Sequence, residues 1–290
     1  MVTHTHSDAW RVTAMHERSP NDDLDPHSRV DSTVPHSARV WNYWLGGKDN
    51  YAVDRKAGDD MLAMAPALVR SAREDRLFLS RSVRLLAGEL GIRQFLDIGT
   101  GLPTADNTHE AAQRAAPDAR VVYVDNDPLV LAHARALLAS TPEGATAYIE
   151  ADVHDPREIL RSAAHTLDFT RPVAVTMLGI VNHMPDIEVA RAVIRRLMDA
   201  VPPGSYLVVS HPTTEVDTEA MHQVAEHWNG RGSSPLVIRS AAEVETLFAG
   251  LELLEPGVVS CPRWRPAPEE APQVGTRADV AHYCGVARKH

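Results

Sequence analysis

Two glycines one residue apart, Gly99 and Gly101, follow an apolar run containing an acid, and they constrain this chain more than any other feature. Phe95, Leu96, Asp97 and Ile98 lead into them. Such a run reads as a buried strand entering a tight loop, where backbone must approach something closely. Asn107, with Glu110 three residues on, reads as an N-cap and capping box, so a helix opens after the loop. Strand, glycine loop and helix N-terminus together form the nucleotide-binding corner of a doubly wound α/β sheet.

The details narrow the nucleotide. A dinucleotide fingerprint requires a third glycine where this chain has Thr104, and its strand is usually apolar up to the glycines, whereas Asp97 interrupts this one. No Gly-Lys-Ser/Thr follows, which excludes a phosphate-cradling P-loop. The acid-x-Gly-x-Gly pattern of Asp97, Gly99 and Gly101 resembles the first motif of the class I S-adenosylmethionine-dependent methyltransferases. The resemblance implies that Asp97, Gly99, Thr100 and Gly101 border S-adenosylmethionine. Pro103 stands where that motif usually has its third glycine, and it drives Leu102 towards an extended backbone. On the motif alone, a glycine turn after an ordinary core strand stays open as the alternative.

Composition sets the frame. At 290 residues, 44% apolar and 23% charged, the chain is an ordinary globule with ample core. A net charge of -10, with acids spread along the chain, argues against a nucleic-acid or anionic-membrane partner. Cys261 and Cys284 lack metal spacing, so no metal site is expected, and so few cysteines fit a reducing compartment. No apolar run approaches membrane length and no signal-like segment opens the chain, so a cytoplasmic protein is expected.

Residues 1–34, rich in His, Asp, Ser and Pro, read as a mobile tail, in which His4 and His6 are solvated rather than metal ligands. Residues 35–91 read as an N-terminal helical lid. Trp41, Tyr43 and Trp44 fall close together in a chain with only 5% aromatic residues, and Gly46 and Gly47 supply a helix stop. Two readings of this stretch stand side by side. It is a helix stapled to the core by its rings, or a lid whose turn presents Gly47, Lys48, Asp49, Asn50 and Tyr51 to the amino-acid end of the cofactor.

The stretch Arg-x-Trp-Asn-Tyr-Trp-Leu-Gly-Gly-Lys-Asp-Asn-Tyr from Arg39, with Asp-Ile-Gly-Thr-Gly-Leu-Pro-Thr from Asp97, closely resembles a bacterial family of S-adenosyl methyltransferases. That family was long catalogued only as a domain of unknown function. Val124 to Pro128 and Trp264, Arg265 and Pro266 also look like its signatures, and Pro103 is what this family has. The resemblance covers the chain from about Val34 onward. It implies fold and cofactor, and says little about substrate.

Residues 92–290 then alternate strand and helix. A second strand ends at Asp125, placed to accept from both ribose hydroxyls, with Asn126 beside it. A capping role before Pro128 fits Asp127 better. The third strand runs into Asp152 and Val153, and Asp152 resembles the acid that accepts from the adenine amino group, with a loop cap as the alternative. A fourth strand ends at Gly179, at an edge that should border the transferred methyl. Residues 213–238 break the rhythm and read as a substrate cap, and residues 257–279 as a long loop before the last strand.

The expected fold is therefore α/β, a doubly wound, Rossmann-like, seven-stranded and mostly parallel sheet with an N-terminal helical lid. The expected activity is in-line methyl transfer from S-adenosylmethionine to a small molecule, leaving S-adenosylhomocysteine, with the protein acting mainly by proximity and orientation. A general base is needed only if the acceptor atom carries a proton to lose, and His183 and His211, after adjacent strand ends, are the candidates. For each, a histidine satisfied by hydrogen bonds is the competing reading. A cofactor-binding regulator without turnover and an NAD-dependent oxidoreductase are the rival functions. The acceptor and the oligomeric state stay open, a homodimer included.

Overall fold

The computed structural model describes residues 30–103, 106–137, 140–266 and 278–290. The tail expected over residues 1–34 lies outside them as far as residue 29, as do His4, His6 and Thr104.

Three helices come first: α1 (Ser37–Trp44), α2 (Ala52–Met64) and α3 (Leu68–Arg84). A π-helical turn, Leu85–Glu89, finishes α3, and Gly91 stops it at φ +73°. The alternating core follows as β1 (Gln94–Ile98), α4 (Thr108–Ala115), β2 (Arg120–Asp125), α5 (Pro128–Leu137), β3 (Ala145–Glu150) and α6 (Pro156–Ala163). It continues through β4 (Ala174–Leu178), α7 (Ile187–Asp199), β5 (Tyr206–Pro212), α8 (Thr218–Asn229) and α9 (Ala241–Thr246). Two short strands, β6 (Glu252–Leu253) and β7 (Val259–Ser260), precede β8 (His282–Arg288).

The strands lie in the order β3-β2-β1-β4-β5-β8-β6, with β7 attached to β8. The first five pair in parallel, and β8 runs antiparallel to β5, β6 and β7. This is the doubly wound sheet with a returning last strand that the sequence predicts. The eighth strand, β7, is the difference: two residues are too few to show a period.

Strands buried on both faces must be apolar throughout, and the alternation along β1 shows how the two layers share them. Leu96 and Ile98 join Val122, Val175 and Leu207 in the core under α6, α7 and α9. Phe95 joins Val121 and Val208 in the core under α3 and α4. A third cluster ties Val40, Trp44 and Met61 of α1 and α2 to Met221, Val224 and Trp228 of α8. The N-terminal helices and the 213–238 segment thus pack as one roof beside the sheet.

The signature Trp264 serves packing. Its ring is fully buried edge-on against Phe78, 5.2 Å between centroids, and buried Arg81 donates to the carbonyls of Trp264 (3.0 Å) and Cys261 (2.7 Å). That fastens α3 to the connection between β7 and β8.

Candidate functional site

A cavity of about 350 Å³ lies between the roof and the carboxyl edge of the parallel strands, where a doubly wound sheet receives its ligand. Asp97, Gly99, Thr100 and Gly101 form one part of its wall. Asp125, Asn126, Asp152 and Val153 form the next, and Gly179 with His183 a third. The expected strand-end residues are therefore brought together.

Asp97 is an organiser of the loop. Its carboxylate accepts from the hydroxyls of Thr108 (2.6 Å), Thr176 (2.7 Å) and Thr100 (3.1 Å). One acid so joins β1, β4, α4 and the glycine loop. Gly99 and Gly101 hold φ of +75° and +66°, which glycine adopts without strain. A Cβ on Gly99 would stand 2.6 Å from Ile180, whereas one on Gly101 would meet nothing within 4 Å and would project into open space.

Asp125 is buried and holds the same loop from the other side. Its Oδ2 accepts from the Gly101 N–H and its Oδ1 from the Asp127 N–H, both at 2.9 Å. Burial raises its pKa above the usual carboxylate range. Asp127 takes the capping role, accepting from the Leu129 N–H at the start of α5. Asp152 is exposed and accepts from the backbone and ring nitrogens of His154, closing its own turn.

The roof's contribution differs from the expectation. The wall is made by the first turns of α1, with His36, Ser37, Trp41 and Asn42. Gly47, Lys48, Asp49, Asn50 and Tyr51 stand outside it. Asn42 is the reason: its side-chain oxygen accepts from the Asp49 N–H (3.0 Å) and the Asn50 amide (2.8 Å), folding the turn back on the helix. A Cβ at Gly47 would lie 2.3 Å from that side chain, so the glycine makes room for Asn42. Tyr51 packs beside Leu102 and Leu129 and props the flank of the loop.

The two histidines part company. His211 is fully buried and absent from the cavity wall, which corrects its candidacy as a base. Its Nδ1 donates to the Pro212 carbonyl and its Nε2 accepts from Arg239, each at 2.7 Å, and burial lowers its pKa to about 3. The cause is strand length. β8 pairs with β5 through His211 and Pro212, so His211 lies inside the sheet and not past its edge. His183 follows β4, which stops at Leu178, and stands on the wall. Its Nδ1 donates to the Pro235 carbonyl at 2.7 Å, leaving the lone pair on Nε2, and burial lowers its pKa.

Two charged residues on the wall escaped sequence reasoning, Asp75 and Arg76 of α3. Asp75 Oδ1 is buried without a hydrogen-bond partner, 3.5 Å from His282 Nε2, and Arg76 Nε is buried without one as well. Buried ionic groups left unsatisfied are costly and call for a partner of opposite charge. A reader of the sequence sees charges on a helix, which ordinarily face water. No group of three metal-ligating side chains occurs among the described residues.

Comparison with known proteins places the chain. A family model described as S-adenosyl methyltransferase matches residues 23–290. A DUF574 family protein from Streptomyces avermitilis is 49% identical, with a TM-score of 0.85, covering 90% of this chain and 99% of its own. A protein from Thermobifida fusca proposed to be a methyltransferase is 41% identical, with a TM-score of 0.80, covering 88% of this chain and 95% of its own. No curated protein matches.

Proposed function

The chain belongs to the S-adenosyl methyltransferase family and is a methyltransferase that depends on S-adenosylmethionine, and from that premise we propose that it methylates a small molecule inside the roofed cavity. The observation that carries this reading is the roof itself. α1 and Ser233, Ser234 and Pro235 line the cavity opposite the strand ends, so an acceptor beside the cofactor is held between the roof and the sheet edge.

The residues suit the cofactor. The open space beside Gly101 leaves a recess bordered by backbone, as a close-fitting nucleoside requires. Asp125 and Asp152 answer the ribose hydroxyls and the adenine amino group. Asp75 and Arg76 answer the ammonium and carboxylate of the amino-acid end, which explains why both carry unpartnered buried atoms. When bound, S-adenosylmethionine supplies a methyl on a sulfonium, whose C–S bond breaks with its electron pair left on sulfur.

The chain's own work is mainly to align and to exclude water. Trp41 and the first turn of α1 line the cavity on its roof side, and the Asp97 and Asp125 tethers fix the loop. His183 Nε2 takes the proton of an acceptor that has one to lose, and the depressed pKa keeps it neutral near pH 7. The reading includes a cytoplasmic enzyme, in keeping with two buried free cysteines. No helix among the described residues is long and apolar enough to cross a membrane.

The test is to incubate the protein with methyl-labelled S-adenosylmethionine and cell extract, then separate small molecules from protein and nucleic acid. Label is expected in the small-molecule fraction. Label confined to macromolecules would overturn the proposal.

A further inference from the structure

Resting on that reading, we infer that the acceptor is an uncharged ring compound bearing a hydroxyl, whose apolar end lodges in a side cavity between α1 and α8. This second cavity, about 60 Å³, shares Ser37, Trp41 and His183 with the main one. Whatever extends from one to the other passes beside His183.

The chemistry of the side cavity is one-sided. Trp44, Met61, Met221, Val224 and Trp228 are among the residues that line it. The indole N–H of Trp228 is spent on the Ser234 carbonyl (2.7 Å) and that of Trp44 on the Gly58 carbonyl (3.4 Å), so both present ring surface. Methionine sulfur and aromatic faces suit a flat apolar group. No Asp, Glu, Lys or Arg lines this cavity. A carboxylate, phosphate or ammonium would be stripped of water there with no opposite charge, which is costly. The volume admits the edge of a ring or a short alkyl tail, so the remainder of the acceptor sits at the junction.

A hydroxyl is indicated by what waits there. Asn182 lines the side cavity, and its Oδ1 is buried without a hydrogen-bond partner. Its Nδ2 faces His183 Nε2 at 3.4 Å. His183 Nε2 already accepts from that Nδ2, so the acceptor that lacks a donor is Asn182 Oδ1. A hydroxyl carried on an apolar ring satisfies that oxygen and keeps its ring in the side cavity.

The probes are 4-propylphenol, its methyl ether 4-propylanisole and the charged 4-propylbenzoate, each titrated calorimetrically into the full chain saturated with S-adenosylhomocysteine. The phenol is expected to bind saturably and at least tenfold more tightly than either relative. Ala72→Leu, which fills the side cavity from α3, should weaken the phenol at least tenfold while S-adenosylhomocysteine binds as before. Asn182→Ala should erase the preference for phenol over its ether, a readout that stands if the filling variant does not fold. Normal S-adenosylhomocysteine binding with no phenol binding, or with the benzoate bound equally well, would overturn the acceptor inference alone. Failure of S-adenosylhomocysteine to bind the wild-type chain would overturn the underlying reading with it.

Discussion

Replacing Asp125 by alanine tests the tether and the cofactor contact in one molecule. The carboxylate accepts from two backbone N–H groups, those of Gly101 and Asp127, and is itself buried. Alanine leaves both donors without an acceptor. A buried unsatisfied donor costs about 1–3 kcal/mol, and water entering from the cavity relieves part of that, so a loss on the order of 2 kcal/mol is expected. In a chain of 290 residues that lowers the melting temperature by roughly 3 °C. If Asp125 also accepts from the ribose, a charged hydrogen bond of about 1.5–3 kcal/mol is lost on top, a roughly tenfold to hundredfold rise in the dissociation constant. Calorimetric titration with S-adenosylhomocysteine, below the variant's melting temperature, reads the second quantity, and scanning fluorimetry reads the first. A lowered melting temperature with an unchanged dissociation constant would refute the ribose assignment and leave Asp125 a loop tether. No change in either would refute both.

Gly101→Val is expected to abolish cofactor binding in a folded protein, because φ of +66° strains a β-branched residue and its side chain enters the open recess; native affinity by calorimetry would show that this loop is not the cofactor loop. Hydrogen exchange across residues 38–52 should slow on adding S-adenosylhomocysteine, most in α1 and least at Lys48 to Tyr51, and equal exchange with binding confirmed would sink the lid. His211 gives a stability prediction, since its folded pKa of about 3 lies below the ordinary 6.5. The unfolded chain therefore binds the proton more readily, so stability is full above pH 6.5 and declines as pH falls towards 3, by about 1.4 kcal/mol per unit. His183 and His282 are depressed in the same direction, so the comparison is with His211→Gln, whose urea midpoints should fall less steeply between pH 7 and pH 5.

The fold was legible because its rules are local. A glycine pair after β1 and a capping box at Asn107 and Glu110 each set a boundary that the structure keeps. β2 and β4 end within a residue of their expected ends, Asp125 and Gly179, because apolar runs between polar turns leave little freedom of register. The failures come where a neighbour far along the chain decides. β5 runs on through His211 because β8, more than seventy residues downstream, supplies the pairing. Nothing within β5 distinguishes a last strand residue from a first loop residue, so His211 and His183 looked equivalent.

The same logic separates the two halves of the site. Strand-end residues could be named because the parallel sheet delivers every carboxyl end to one edge, whatever the helices do. The roof has no such rule. Its cavity-facing residues, Trp41 and Asn42 among them, are chosen by how α1 lies against α2 and α8, and that docking is set by an apolar cluster spanning all three. A glycine turn followed by Lys48, Asp49 and Asn50 reads as a ligand loop until Asn42 is seen to consume its donors. Asp75 and Arg76 carry the converse lesson. In a helix whose buried set includes Glu74, Asp75 and Arg81, charge no longer marks the solvent face. Such a helix is stable only if each buried charge finds a partner, and Arg81 finds backbone carbonyls while Asp75 keeps an oxygen free beside the cavity. If the cofactor's ammonium answers that charge, as proposed, a shift of the melting temperature with S-adenosylhomocysteine should shrink in Asp75→Asn, which keeps the shape and removes the charge.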